Sequence, residues 1–484
     1  MHEKTVTGPF PRKELPRQTS GSIGRGGSVT VLVKRTLRFL GFDRAVSFGI
    51  LARLWSLLAG PVTMMVVASG FTPEEQGFYY TFGSLLALQV FFDLGLMFVI
   101  SQFASHEFVH LTWGARGRVE GESGALMRFT DLLRKAVLWF GIASLLLIII
   151  LIPAGYIFFG EKGAVSFSWR LPWTLAVIGT ALNLFVTPFF AVIMGSGDVV
   201  TINKRDLAGT VLGSILCWLV IGLHGGLYAA VAVNLGGLCI AWGYLLSKRP
   251  ELLRAAVEGL FTRGDSVPKG VALSWWGEVW PMQWRMGISS GAAYFIFQLF
   301  TPILFHFHGA VVAGQMGLTM TAGNALLATG MTLISAKNPE FAKLVALSAW
   351  SRLDNLFSIV LRQAVLIVAF GALLGSGLIW ALQGGGYALG KRFIPVQCAS
   401  VFFAAVTLQV AAAAFAIYVR SHKIDPFVWV TLVLSLVQGA ALIFLGEKYA
   451  IAGVVWVYLM VSACLLLPSF VRIWLKCRRE LHGL

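Results

Sequence analysis

Lysine and arginine fall on alternate sides of a repeating apolar pattern, and no other feature restricts this chain as strongly. Of 38 such residues, 31 lie in or at the edges of alternate connections between long apolar runs and 5 in the remaining connections, with only Arg53 and Arg285 further inside the runs. A helix crossing the hydrocarbon core needs about 20 apolar residues, and basic residues stay on the cytoplasmic side. The runs predict twelve spans, at about 46–69, 77–104, 132–159, 173–195, 206–224, 226–246, 283–306, 310–334, 359–381, 398–419, 426–445 and 449–471. The basic side holds Lys4 to Arg44, Arg116 to Lys135, Lys204 and Arg205, Lys248 to Lys269, Lys337 to Arg362, Arg420 and Lys423, and Arg472 to Arg479. The other side holds Lys162, Arg170, Lys391, Arg392 and Lys448. Both termini are therefore expected in the cytoplasm.

Composition agrees. With 57% hydrophobic and 12% charged residues over 484, the chain has too few polar groups to coat a soluble body of this size. A net charge of +16 would suggest nucleic acid in a soluble protein. Here the one-sided loops account for it, so membrane lipids, acidic headgroups above all, are the expected partner and nucleic acid is not. Five cysteines, odd in number and without CxxC spacing, predict neither a disulfide framework nor a metal site. His306 and His308 read as interfacial residues rather than ligands, since no carboxylate lies near them in sequence. No P-loop, HExxH or GxSxG is present, so neither an ATP-driven pump nor a hydrolase is expected, and no cofactor.

The expected organisation is a disordered basic cytoplasmic tail at 1–45, six spans at 46–246, a cytoplasmic linker at 247–282, six spans at 283–475 and a tail at 476–484. No signal peptide is read in the N-terminal tail. Two cytoplasmic stretches alternate apolar and charged residues at helical spacing, 251–261 and 338–357. The second opens with an Asn-Pro start signal and carries Phe341, Leu344, Val345 and Leu353 near one stripe. Both are expected as helices on the inner surface. The two sixes also begin alike: Arg53, Pro61, a tight outer turn and Gly77 in the first, and Arg285, Pro302, an outer turn and Gly314 in the second. Broken helices at matching places in two halves point to a transporter's binding region, although prolines also kink membrane helices for no such reason.

Few polar groups lie within the spans. Arg53 and Asp93 are each 20 residues from Pro73, which puts both about 30 Å from the first outer turn. The pair reads either as a salt bridge between the first two helices or as an anion ligand, Arg53, governed by the protonation of Asp93. Arg285 lies close enough to the interface to snorkel, so it is either an anchor or a ligand for an anionic headgroup. Tyr294, Gln298 and Thr301 share a face of the seventh span and suit a wet cavity that meets sugar hydroxyls, or a seam between helices.

The segment RLWSLLAGPVTMMVVASGFTPEEQGFYYTFGSLLALQVFFDLGLMFVISQFASHE at 53–107 resembles the polysaccharide transporters of the multidrug, oligosaccharidyl-lipid and polysaccharide exporter superfamily. They share an Arg-led helix, a Leu/Phe-x-Pro-Glu-Glu-x-Gly-x-Tyr turn and an acidic-Leu-Gly-Leu step. WPMQWRMGISSGAAYFIFQLFTPILFHFHGAVVAGQMGLT at 280–319, GKRFIP at 390–395, IYVRSHKIDPF at 417–427 and AIAGVVWVYL at 450–459 are similar to the O-antigen and oligosaccharide flippase members. The resemblance implies an all-α polytopic membrane protein with two six-helix bundles around a central cavity that opens alternately to each side. It implies a lipid-linked oligosaccharide as substrate, a bacterial plasma membrane location, and a glycan polymerase or glycosyltransferases as further partners. By position, Arg53 and Arg285 match the basic residues that would receive the pyrophosphate. The runner-up is an ion-coupled drug or small-solute exporter, which would want acids in the cavity, where only Asp93 is firmly intramembrane. A further alternative is a membrane enzyme or non-catalytic component of glycan assembly.

Overall fold

The computed structural model describes residues 44–160, 166–261 and 273–482, so the N-terminal tail and Lys162 lie outside the described residues. The described chain is almost entirely helical. In order, the helices are α1 (Arg44–Gly70), α2 (Pro73–Leu86), α3 (Val90–Asp93), α4 (Leu96–Glu107), α5 (Ser123–Gly160), α6 (Arg170–Gly195), α7 (Val199–Gly222), α8 (Tyr228–Lys248) and α9 (Pro250–Phe261). They continue with α10 (Trp280–Phe297), α11 (Phe300–His308), α12 (Ala310–Ser335), α13 (Asn338–Ala346), α14 (Trp350–Gly384), α15 (Val396–Arg420), α16 (Val428–Met460) and α17 (Leu467–His482).

Eight stretches are long and apolar enough to cross a membrane, and two bent pairs bring the number to 10. One pair, Pro73–Asp93 with Leu96–Glu107, turns by 41°; the other, Trp275–Phe297 with Phe300–His308, by 47°. The stretch Val428–Leu481 is counted once by length, yet Ala450 stands at φ 50°, ψ −133°. A Cβ on Gly453 would collide with the carbonyl oxygen of Leu445, eight residues back. In a continuous helix those residues stand about 12 Å apart, so the chain reverses here and the stretch is two spans. The uncharged 26-residue α12 completes the twelve. An even number of crossings returns the chain to the side where it began, which fixes a terminal side and an opposite side.

Most spans pack within two groups, one from each half of the chain, although α2 packs chiefly on α12 of the other half. In the first group α1 packs on α7, α7 on α8, α5 on α6, and α6 on both α4 and α8. In the second, α12 packs on α11, α14 and α15, and α16 on α10, α11 and α15. The groups meet through α2 with α12 and α11, and through α3 and α4 with α10.

The structure differs from the sequence reading in three connections. Residues 105–131 contain a small antiparallel hairpin, β1 (Leu111–Trp113) with β2 (Val119–Gly121), that three-residue strands give no periodicity to reveal. Trp113 fixes it: its indole Nε1 donates to Ser196 Oγ at 2.9 Å, and Arg249 lies 4.0 Å over the ring while reaching Asp198 at 3.6 Å. The expected stripe over 338–357 is two helices, because Ser348 takes φ 51° and ends α13 before α14 begins. Its apolar residues still point inward; Phe341 and Leu353 are fully buried. Lys204 and Arg205 sit within the first turns of α7 rather than in a loop, since Asp198 caps that helix by accepting from Thr201 N–H.

Reporter fusions placed in the turns that the structure leaves, after Gly197, Ser348 and Lys423, are expected to report cytoplasm, and fusions after Gly226 and Tyr387 the outside. Opposite signals at two of these sites would reject the twelve-span topology.

Candidate functional site

The motif residues explain themselves once folded. In FTPEEQGFYY, Thr72 accepts from Glu75 N–H at 3.2 Å and its own N–H donates to Glu75 Oε2 at 2.8 Å, a capping box with Pro73 in the first helical turn. Such a cap contributes about 1 kcal/mol and sets where α2 starts. With the start fixed, Gln76 and Gly77 face the other half. Gln76 Nε2 donates to Gly314 O at 2.8 Å and to Arg392 O at 3.3 Å. Gly77 touches the main chain of α12: a Cβ there would collide with the Ala310 carbonyl, and one on Gly314 would lie 2.8 Å from the Gly77 nitrogen. Arg392, from GKRFIP, donates to Phe71 O at 2.6 Å. Burial pulls its guanidinium below the usual arginine range, against the opposing pull of Glu74 and Glu75. On the opposite side, then, the two halves are sewn together. Deeper in the same seam Phe78 stacks edge-on to Phe305 at 5.0 Å.

Two of the three expected cavity residues belong to this seam. Tyr294 and Thr301 are buried, and both hold Ser84 of α2: the phenol donates to Ser84 O at 3.2 Å and the Thr301 hydroxyl lies 2.6 Å from Ser84 Oγ. They join helices rather than line a cavity. Gln298 is half-buried where α10 ends and the span bends, with its N–H on Tyr294 O. None of the three lines the two cavities described below.

Asp93 and Arg53 do not pair. Asp93 ends α3 just before Leu94 and Gly95, both left-handed at φ 49° and 68°, so the span breaks immediately beyond it. The Asp-Leu-Gly-Leu step exists to make this break: a Cβ on Gly95 would lie 2.7 Å from Met286 Cβ, and Leu94 packs on Gly287. Among the described residues Asp93 Oδ1 is buried without a hydrogen-bond partner, and Arg53 is exposed on α1. Arg285 is likewise exposed, with its guanidinium 5.7 Å over the ring of Trp284, the posture of an interfacial residue.

Two cavities lined by polar residues lie within the first group of helices. One, of about 410 Å³, is lined by Thr63, Tyr79, Arg205, Asp206, Thr210 and Ser214, among others. A second, of about 380 Å³, shares Tyr79 and Val233 with it and adds Tyr80, Gln89, Thr180 and Asn234. Small residues make the room: Gly209 and Gly213 let α7 lie directly on Gly237 and Gly236 of α8. Arg205 is steadied by the ring of Phe190 at 4.3 Å and stands 3.4 Å from an Asp206 oxygen. Gly49 faces Asn203 and Gly70 faces Ile221, so α1 and α7 run in parallel, and Arg53 comes level with Arg205 and Asp206. The terminal-side mouth of the cavities is therefore charged, and the body above it presents hydroxyls, amides and tyrosine rings. Sequence reading missed Arg205 because a basic pair at a span's edge looks like a topology signal. The alternation of glycines after it, at 209 and 213, was the available clue.

No protein-family profile and no curated protein matches this chain by sequence. Solved structures do match in fold. A multidrug resistance MATE family transporter of the MOP superfamily, in an inward-facing conformation, aligns with a TM-score of 0.58 at 13% identity, over 90% of this chain and 98% of its own. The lipid II flippase MurJ, inward closed, aligns at 0.52 and 13%, over 90% and 92%. A MOP superfamily transporter from Pyrococcus furiosus, described as having a binding pocket of reversed polarity, aligns at 0.52 and 13%, over 91% and 97%. The chain has the fold of MOP superfamily transporters.

Proposed function

We propose that this protein is an alternating-access flippase that carries a polyprenyl-pyrophosphate-linked oligosaccharide outward across a bacterial plasma membrane, with 46–246 and 283–475 as its two moving halves. The observation that carries the reading is a polar cavity with Arg205 at its terminal-side mouth, beneath a seam that closes the opposite side. A cation there suits a pyrophosphate loading from the cytoplasm, and hydroxyl, amide and tyrosine groups suit sugar. An inside-negative potential favours outward passage of each negative charge by about 2.3 kcal/mol per 100 mV, so the protein need only lower the barrier. Arg53, level with Arg205, remains a headgroup ligand in this reading, and Arg285 a contact made at entry. The sequence motifs and the fold shared with a lipid II flippase support the same class.

One observation favours a drug exporter instead: Asp206 lines the same cavity, and several fold neighbours are MATE transporters. Deleting the gene separates the two. The flippase reading expects lipid-linked oligosaccharide to accumulate on the inner leaflet while surface glycan falls. Intact glycan export with new sensitivity to cationic drugs would replace it with the exporter reading.

A further inference from the structure

We propose that the outward face of α17 is a binding site for anionic phospholipid headgroups, presented by Arg472, Lys476 and Arg479. These three cations stand at i, i+4 and i+7, and all are exposed. The opposite face of the helix is anchored to the protein. Phe470 and Cys477 are buried, Phe470 packs 4.4 Å from Phe427, and Arg478 donates to Asp354 at 2.6 Å. Tyr418 donates to the same carboxylate, so the rotation of α17 about its axis is fixed and the three cations cannot turn inward. Only Glu480 opposes them among the described contacts, 3.7 Å from Lys476 with both side chains well exposed.

Depth selects the ligand. From Ala450 to Val471 the last span covers about 32 Å at helical rise, close to the thickness of a hydrocarbon core. Arg472 then lies at the headgroup layer and Arg479 about 10 Å beyond it. Leu475, 37% exposed between Arg472 and Lys476, gives the face an apolar contact for the lipid edge that an acidic soluble partner would not need. Charge, level and this leucine together favour a phospholipid.

The test uses the full chain purified in mixed micelles, with lipid binding measured by native mass spectrometry. Phosphatidylglycerol is expected to bind on the order of tenfold more tightly than phosphatidylcholine, and the preference should shrink at high salt. Combining Arg472→Gln, Lys476→Gln and Arg479→Gln should remove most of that preference, whereas Lys343→Gln with Arg352→Gln, exposed cations elsewhere on the terminal side, should keep it. If the triple variant fails to fold, Arg472→Gln and Arg479→Gln singly should each weaken the preference by about threefold. The proposal is overturned by an unchanged preference in the triple or single variants, by equal binding of the two lipids to the unaltered protein, or by displacement of the lipid with inorganic phosphate. Loss of an acidic protein partner without any change in lipid preference would also overturn it.

Discussion

Gly77→Ala is expected to cripple transport while Gly60→Ala does not. The added methyl at Gly77 meets the main chain of Ala310, which cannot rotate away as a side chain can, whereas nothing lies within 4 Å of a Cβ on Gly60. Overpacking of this kind costs about 1–3 kcal/mol, and the closed seam is where the cost falls. In a two-state alternation that shifts the balance toward the opened opposite side by roughly 5- to 150-fold. The population shift is measurable without any transport assay. Ser84 is buried in the seam, so an impermeant thiol reagent added outside should label a Ser84→Cys protein slowly and its Gly77→Ala derivative at least about fivefold faster. Equal labelling of the two, with normal export, would mean that the seam does not close the pathway.

Arg205→Ala should reduce glycan export by about tenfold or more, with Arg205→Lys intermediate. A guanidinium can give a pyrophosphate two parallel charge-assisted hydrogen bonds, and each such bond contributes about 1.5–3 kcal/mol, whereas lysine offers a point charge. Asp206→Asn should be the milder change, since that carboxylate opposes an anionic headgroup. Every variant must be shown to insert at normal levels. The reverse order, with Asp206→Asn severe and Arg205→Ala mild, is the result that a cationic substrate would produce, and it would sink the flippase reading.

How far the sequence could be read depended on distance along the chain. Span number and the break beside Pro302 were legible, because each rests on neighbours within a turn or two, whereas at Pro61 the expected interruption is absent and α1 runs unbroken from Arg44 to Gly70. The matching of Gly77 with Gly314 was also visible, as corresponding places in two similar halves, and the structure shows these two glycines against one another. Residues at equivalent positions of a twofold repeat meet on its axis, so the pairing follows from symmetry once the repeat is accepted. Where the reading errs, it takes depth for contact. Arg53 and Asp93 share a depth by residue count, yet depth along a helix does not fix which way a side chain faces, and Tyr294 and Thr301 read as wet because a helical face does not say what covers it.

The sequence by itself determined that this chain crosses a membrane, about how often, and which connections carry the charge, because hydrophobic length and basic bias act residue by residue on the bilayer. Only the tertiary structure decided which polar groups share a cavity. Arg205, Tyr79 and Thr63 come from three different helices, and their meeting depends on how closely glycine faces let α7 and α8 approach, a distance that no local pattern encodes.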